Sequence, residues 1–172
     1  MKNKKFYSCE DLQSSIYFGP NALRHCCQRF FVNGKMKGDV EILKIKSNND
    51  INVQNIISEK KKLINNLKNK RKTPCDGCPK LQFKEWIDSD KIKINKISIE
   101  AHSKCNARCS YCSDMFYGGL NPNYDLNDML TKFRGQNIFS ENVSITWGGG
   151  EPVLLKNFKN IFKNFINSKY PK

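Results

Sequence analysis

Apolar and polar positions change in short runs through the first half of the chain and settle into longer periods in the second. Ser15 to Phe18, a Gly19-Pro20-Asn21 turn, and a return from Leu23 to Cys27 and on to Phe31-Val32 read as a hairpin. Asn33-Gly34 marks another turn. Val40, Ile42, Leu43 and Ile45 suggest a strand between Asp39 and Ile45, closed by Ser47-Asn48-Asn49-Asp50. From Val53 to Leu67 the apolar positions are 53, 56, 57, 63, 64 and 67, the spacing of one helix face, and the basic run Lys68 to Lys72 ends that helix before Thr73-Pro74.

Beyond Lys91 the β-branched residues Ile92, Ile94, Ile97 and Ile99 predict a strand from Ile97 to Ala101 that feeds directly into Cys105. A loop follows, through Gly118-Gly119 and Asn121-Pro122. Asp125 is the expected N-cap of a helix over Leu126 to Arg134, with Gly135 at its exit. Val143 to Trp147 reads as the next strand. Apolar residues at 154, 155, 158, 161, 162 and 165 predict a last helix running nearly to the end of the chain. Strand, helix, strand, helix in this order is the pattern of right-handed βαβ units on a parallel sheet, an α/β class fold.

Charge adds a question about partners. The 172 residues contain 30 Lys+Arg against 16 Asp+Glu, a formal charge of +14, and only Arg24, Arg29, Arg71, Arg108 and Arg134 are arginines. Lysines scattered among asparagines suit a solvated surface, and the aromatic-basic interleaving of single-strand or RNA readers is missing, so nucleic acid is not expected as a partner. The runs Lys60-Lys61-Lys62 and Lys68 to Lys72 are read as a solvated helix face, favoured near a helix C-terminus by the dipole. No apolar segment follows the basic start and no run of eighteen apolar residues occurs, so a soluble, cytoplasmic protein without a membrane partner is expected.

Eight cysteines (9, 26, 27, 75, 78, 105, 109 and 112) turn the question to metals, because cytoplasmic thiols stay reduced. Cys105, Cys109 and Cys112 lie in a Cys-x3-Cys-x2-Cys run, close enough to hold three corners of an iron-sulfur cube and leave one iron open. Zinc is the alternative, with His102 nearby as a fourth ligand or merely a strand-end histidine. At the end of the second predicted strand, Gly148-Gly149-Gly150-Glu151-Pro152 lets a ligand approach the backbone, and its carboxylate can hold a cationic amine. Both motifs fall at carboxyl ends of strands, where sheets of this kind build their sites.

Together these motifs resemble the radical S-adenosylmethionine superfamily, marked by Cys-x3-Cys-x2-Cys after the first strand and Gly-Gly-Glu-Pro after the second. The resemblance implies that Cys105, Cys109 and Cys112 bind a 4Fe-4S cluster whose open iron chelates S-adenosylmethionine. It also implies that Tyr111 lies against the adenine, and that Gly149, Gly150 and Glu151 receive the methionine amine, with Pro152 completing that cofactor-binding motif. The implied reaction is reductive cleavage to methionine and a 5′-deoxyadenosyl radical that takes hydrogen from a peptide, sugar or other small metabolite. A reductant such as flavodoxin or ferredoxin is the implied partner, and no catalytic side chain is assigned. An iron-sulfur or electron-transfer module without its own catalysis is the alternative.

The other cysteines suggest a second site. Cys9, a hairpin ending in Cys26-Cys27, a helix, and then Cys75-Asp76-Gly77-Cys78 resemble a SPASM or twitch auxiliary-cluster region, here preceding the core. That resemblance favours Cys9, Cys26, Cys75 and Cys78 over sets using Cys27, with a second 4Fe-4S cluster or a structural zinc as occupant. The expected organisation is therefore a small α+β auxiliary region over 1–90 and, over 91–172, the first two units of a TIM-like radical S-adenosylmethionine barrel. The chain stops where a third strand would begin, so a truncated or split reading frame is expected, or a second polypeptide that completes the barrel.

Overall fold

Among the described residues the apolar runs assemble into a mixed α/β structure with three sheets. The computed structural model describes residues 2–88, 91–112 and 119–167. In chain order these form β1 (Lys2–Ser8), α1 (Glu10–Ser14), β2 (Ser15–Phe18), β3 (Ala22–Arg24), β4 (Arg29–Val32), β5 (Lys35–Gly38) and β6 (Glu41–Lys44). They continue with α2 (Val53–Lys68), β7 (Gln82–Asp88), β8 (Ile94–Ile99), α3 (Leu126–Gly135), β9 (Phe139–Trp147) and α4 (Phe158–Asn167). Gly118 of the expected loop, and the end of the last predicted helix beyond residue 167 together with its Phe165 side chain, lie outside what is described.

The main sheet has the order β6-β3-β2-β8-β9. β8 is paired in parallel on both sides, with β2 through Ser15↔Lys96 to Phe18↔Ile99 and with β9 through Lys96↔Ser144 to Ile99↔Trp147. Ile97, Ser98 and Ile99 are all buried, as expected of a strand covered on both faces. The hairpin expected from Ser15 onward forms between β2 and β3 but breaks after Arg24, where the pairing of β3 with β6 shifts register. Arg29 to Val32 then pairs instead with Lys35 to Gly38 across the Asn33-Gly34 turn. No closed barrel is formed among the described residues.

Local chemistry fixes the helices. Asn52 caps α2 by accepting from the amides of Gln54 and Asn55, and Asp125 caps α3 by accepting from that of Asp128. α2 and α3 cover the sheet and share one apolar core with it. That core joins Phe18, Leu23 and Ile56 from before residue 90 to Phe133, Phe139 and Val143 from after it. Phe133 sits at its centre, 5.6 Å from the ring of Phe18 and 5.9 Å from that of Phe139.

The pairing of β1 with β7 (Lys2↔Asp88 to Ser8↔Gln82) escapes the hydrophobic pattern, because Phe6 and Trp86 are the only buried apolar residues on that ribbon among the described side chains. No helix among the described residues is long and apolar enough to cross a membrane.

Because Phe133 is fully buried and packs against rings from both halves of the chain, Phe133→Ala should lower the unfolding free energy by about 3–5 kcal/mol. Urea denaturation of the variant should still give a single transition when followed by far-ultraviolet dichroism and by tryptophan fluorescence. Two separate transitions in the parent protein would contradict a shared core.

Candidate metal centres

The first cluster of cysteines follows the buried strand β8. Its end continues as an extended segment in which the Ser103 amide donates to the Leu120 carbonyl (3.1 Å) and the Leu120 amide to the Ser103 hydroxyl (2.9 Å). The cysteine loop is thus closed at its base. Within it, the Cys112 amide donates to the Cys109 carbonyl (3.0 Å), the Ala107 amide approaches the Cys105 sulfur (3.5 Å), and Arg108 takes a left-handed conformation with φ 42°. Tyr111 projects from the same turn with 87% of its surface exposed. Its hydroxyl is pushed above the usual range first by a hydrogen bond with Cys109, and then by the charges of Cys109, Cys112 and Cys105.

The glycine run is hydrogen-bonded onto this loop. Parallel pairing of β8 with β9 continues past both strands: the Gly148 amide donates to the Ile99 carbonyl (2.9 Å), that of Gly150 to His102 (2.9 Å) and that of Glu151 to Lys104 (2.8 Å). Only glycine permits so close an approach. A Cβ on Gly150 would lie 2.0 Å from the Lys104 carbonyl oxygen, and Gly149 has φ 88° with the His102 carbonyl 2.7 Å from where its Cβ would be. Glu151 accepts at 3.5 Å from the Val153 amide and caps a short 3-10 turn over Pro152–Leu154. His102 is buried, and neither ring nitrogen has a hydrogen-bond partner among the described residues; burial pushes its pKa down.

The second cluster lies elsewhere. Cys9, Cys26, Cys75 and Cys78 line one cavity of about 20 Å³ together with Leu12, His25, Phe30, Val40 and Leu81. The β1–β7 ladder explains part of this convergence, since Cys9 follows Ser8, and Ser8 pairs with Gln82 shortly after Cys78. Cys9 caps α1, its sulfur accepting from the Leu12 amide at 3.4 Å. Cys75 and Cys78 belong to a tight turn in which Thr73 and Asp76 bond each other and the Cys78 amide donates to the Cys75 carbonyl (2.9 Å). Burial, followed by the charges of Cys26, Cys9 and Cys78, pushes the Cys75 thiol up to about 12. Cys27 is not among the cavity's lining residues; its sulfur is hydrogen-bonded with the Tyr17 hydroxyl instead.

All eight cysteines are free thiols. Among the described residues, no group of three or more Cys, His, Asp or Glu side chains stands ready to hold a metal ion. Cys9, Cys26, Cys75 and Cys78 nonetheless share one cavity lining, and four thiols are a donor set that suits either an iron-sulfur cluster or zinc.

Two buried ionisable residues escaped the sequence. His25 lines the four-thiol cavity, and burial lowers its pKa to about 2, so the imidazole is neutral; its Nδ1 has no partner among the described residues. Lys60, read as part of a solvated run, is fully buried. The helix period puts it on the stripe of Ile56, Leu63, Ile64 and Leu67, a spacing that could have identified it.

No family model, curated protein or solved structure matches this chain.

The contact between the glycine run and the cysteine loop can be tested. Gly150→Ala should cost at least about 2 kcal/mol of stability in urea, because backbone rather than a flexible side chain must move. Gly135→Ala, with nothing within 4 Å of the added carbon, should be neutral or stabilising by up to about 1 kcal/mol. Equal effects at the two positions would contradict the close approach.

Proposed function

We propose that the chain carries a radical S-adenosylmethionine site at the carboxyl ends of β8 and β9 and a second iron-sulfur site among Cys9, Cys26, Cys75 and Cys78. The observation that carries this reading is the hydrogen-bonded meeting of the Cys-x3-Cys-x2-Cys loop with Gly148–Glu151 at the ends of two adjacent parallel strands. Cys105, Cys109 and Cys112 would hold the first cluster, leaving one iron for the cofactor. When bound, the pair supplies one-electron cleavage of the sulfonium, giving methionine and a 5′-deoxyadenosyl radical that abstracts hydrogen from substrate.

The chain's own residues do the positioning. The amides of Gly150 and Glu151 are spent on His102 and Lys104, which anchors the run beside the cysteine loop. Tyr111, exposed on that loop, offers a flat face to an adenine. Glu151 supplies the negative charge an amine needs, while the cap to Val153 restrains its side chain. The second thiol set, four cysteines on the lining of one cavity, suits an iron-sulfur cluster, with a structural zinc as the alternative occupant.

Anaerobic reconstitution with iron and sulfide should yield a brown protein in which the reduced electron paramagnetic resonance spectrum changes when S-adenosylmethionine is added. Cys109→Ala should abolish the S-adenosylmethionine-sensitive signal and keep the other, whereas Cys78→Ala should do the reverse. Glu151→Gln should weaken the response at unchanged iron content. Two clusters with no spectral response would leave an electron-transfer module, and stoichiometric zinc without iron would remove the proposal altogether.

A further inference from the structure

A buried lysine in a chain otherwise rich in solvated ones calls for a reason. Lys60 lies in the middle of α2, fully enclosed, and its ammonium donates to the Ser15 carbonyl at 2.8 Å. Ser15 ends the five-residue helix that Cys9 caps. The turns of α2 that follow, through Leu63, Ile64 and Leu67, pack in the same cluster as Cys75, Cys9 and Cys26. Burial pushes the ammonium's pKa down to about 8, opposed by the neighbouring Cys9, the Asp11 carboxylate and Cys26. Asp11 already has other partners: its Oδ1 accepts from the hydroxyls of Ser15 (3.3 Å) and Tyr17 (3.1 Å), its Oδ2 accepts from the Gln28 amide (3.3 Å), and the Lys96 ammonium lies 3.9 Å from Oδ1. The ion pairs among the described residues do not include Lys60.

We infer that Lys60 is the buried counter-charge of the four-thiol site, a positioning residue that lets a cluster bearing thiolate charge be held away from water. The inference rests on the reading that these thiols hold an iron-sulfur cluster. An enclosed ammonium with one carbonyl partner is a burden on a folded protein, and it becomes an asset only beside negative charge. Four ionised thiols supply that charge once they bind metal. A positive charge this close also favours the reduced, more negative state of a cluster, so Lys60 raises its reduction potential.

The test uses the full chain carrying Cys105→Ser, Cys109→Ser and Cys112→Ser, so that only the second site can be filled. In this background Lys60 is compared with Lys60→Met and with Lys60→Gln, which keeps a donor for Ser15 but loses the charge. After anaerobic reconstitution the parent should hold about four iron per chain. Both variants should show a lower midpoint potential in a spectroscopically monitored titration, changing the reduced-to-oxidised ratio at a fixed poise at least tenfold (~10×). Both should also lose iron to a chelator faster, while their metal-free forms unfold at the same or higher urea concentration than the parent.

Unchanged potentials would overturn the counter-charge role. So would a Lys60→Gln variant that retains the parent potential, since the hydrogen bond to Ser15 would then account for the residue. Failure of both metal-free variants to fold would overturn it as well, because a counter-charge is dispensable without its cluster. A parent that takes up no iron would instead refute the underlying reading of the thiol site.

Discussion

Parallel pairing on both sides of β8 is the constraint from which the rest follows. Because β2, β8 and β9 run the same way, their carboxyl ends reach one edge of the sheet together, and the loops after them must share that edge. The pairing does not stop with the strands. It continues as single amide-to-carbonyl bonds from Gly148, Gly150 and Glu151 onto Ile99, His102 and Lys104. Glycine is needed there because the backbones approach more closely than a Cβ allows. The turn after β2 joins the same edge, where the Tyr124 hydroxyl donates to the Gly19 carbonyl (2.9 Å) and the Asn123 amide to the Pro20 carbonyl (2.9 Å).

The same topology separates the two groups of cysteines. Cys9 leads through α1 into the amino end of β2, and β3 runs back antiparallel from the carboxyl edge before reaching Cys26. Both therefore lie toward the amino edge, while Cys105 to Cys112 leave from the carboxyl edge. Cys75, with Cys9 and Cys26 packed against it, belongs to the apolar cluster of the β1–β7 ribbon and the second half of α2, whereas Cys105, Cys109 and Cys112 lie outside both apolar clusters.

Much of this was legible in the sequence where local chemistry decides the outcome. The helices over Val53–Lys68 and Leu126–Gly135 announce themselves by apolar period and by Asn or Asp caps, and β8 and β9 by their β-branched residues. The β1–β7 ribbon was not, since its register depends on partners about eighty residues apart and its own residues are mostly polar. Neither was the break after Arg24, which comes from a shift against β6. Local sequence alone also does not decide between the adjacent Cys26 and Cys27. Chain geometry puts one on the cavity and gives the other to Tyr17.

Lys60 shows why charge runs mislead. Three consecutive lysines on a helix point in three directions about 100° apart, so a run that is solvated as a whole still sends one member inward when the apolar stripe passes through it. Here Lys60 is fully buried, Lys61 is half-buried and Lys62 is exposed beside Glu59. The inward member faces a region where thiols are numerous and carboxylates few. A methionine would fill that volume at lower cost in a protein that never binds metal. Keeping an ammonium there makes physical sense when the thiols of the adjoining cavity bind metal and are thereby ionised.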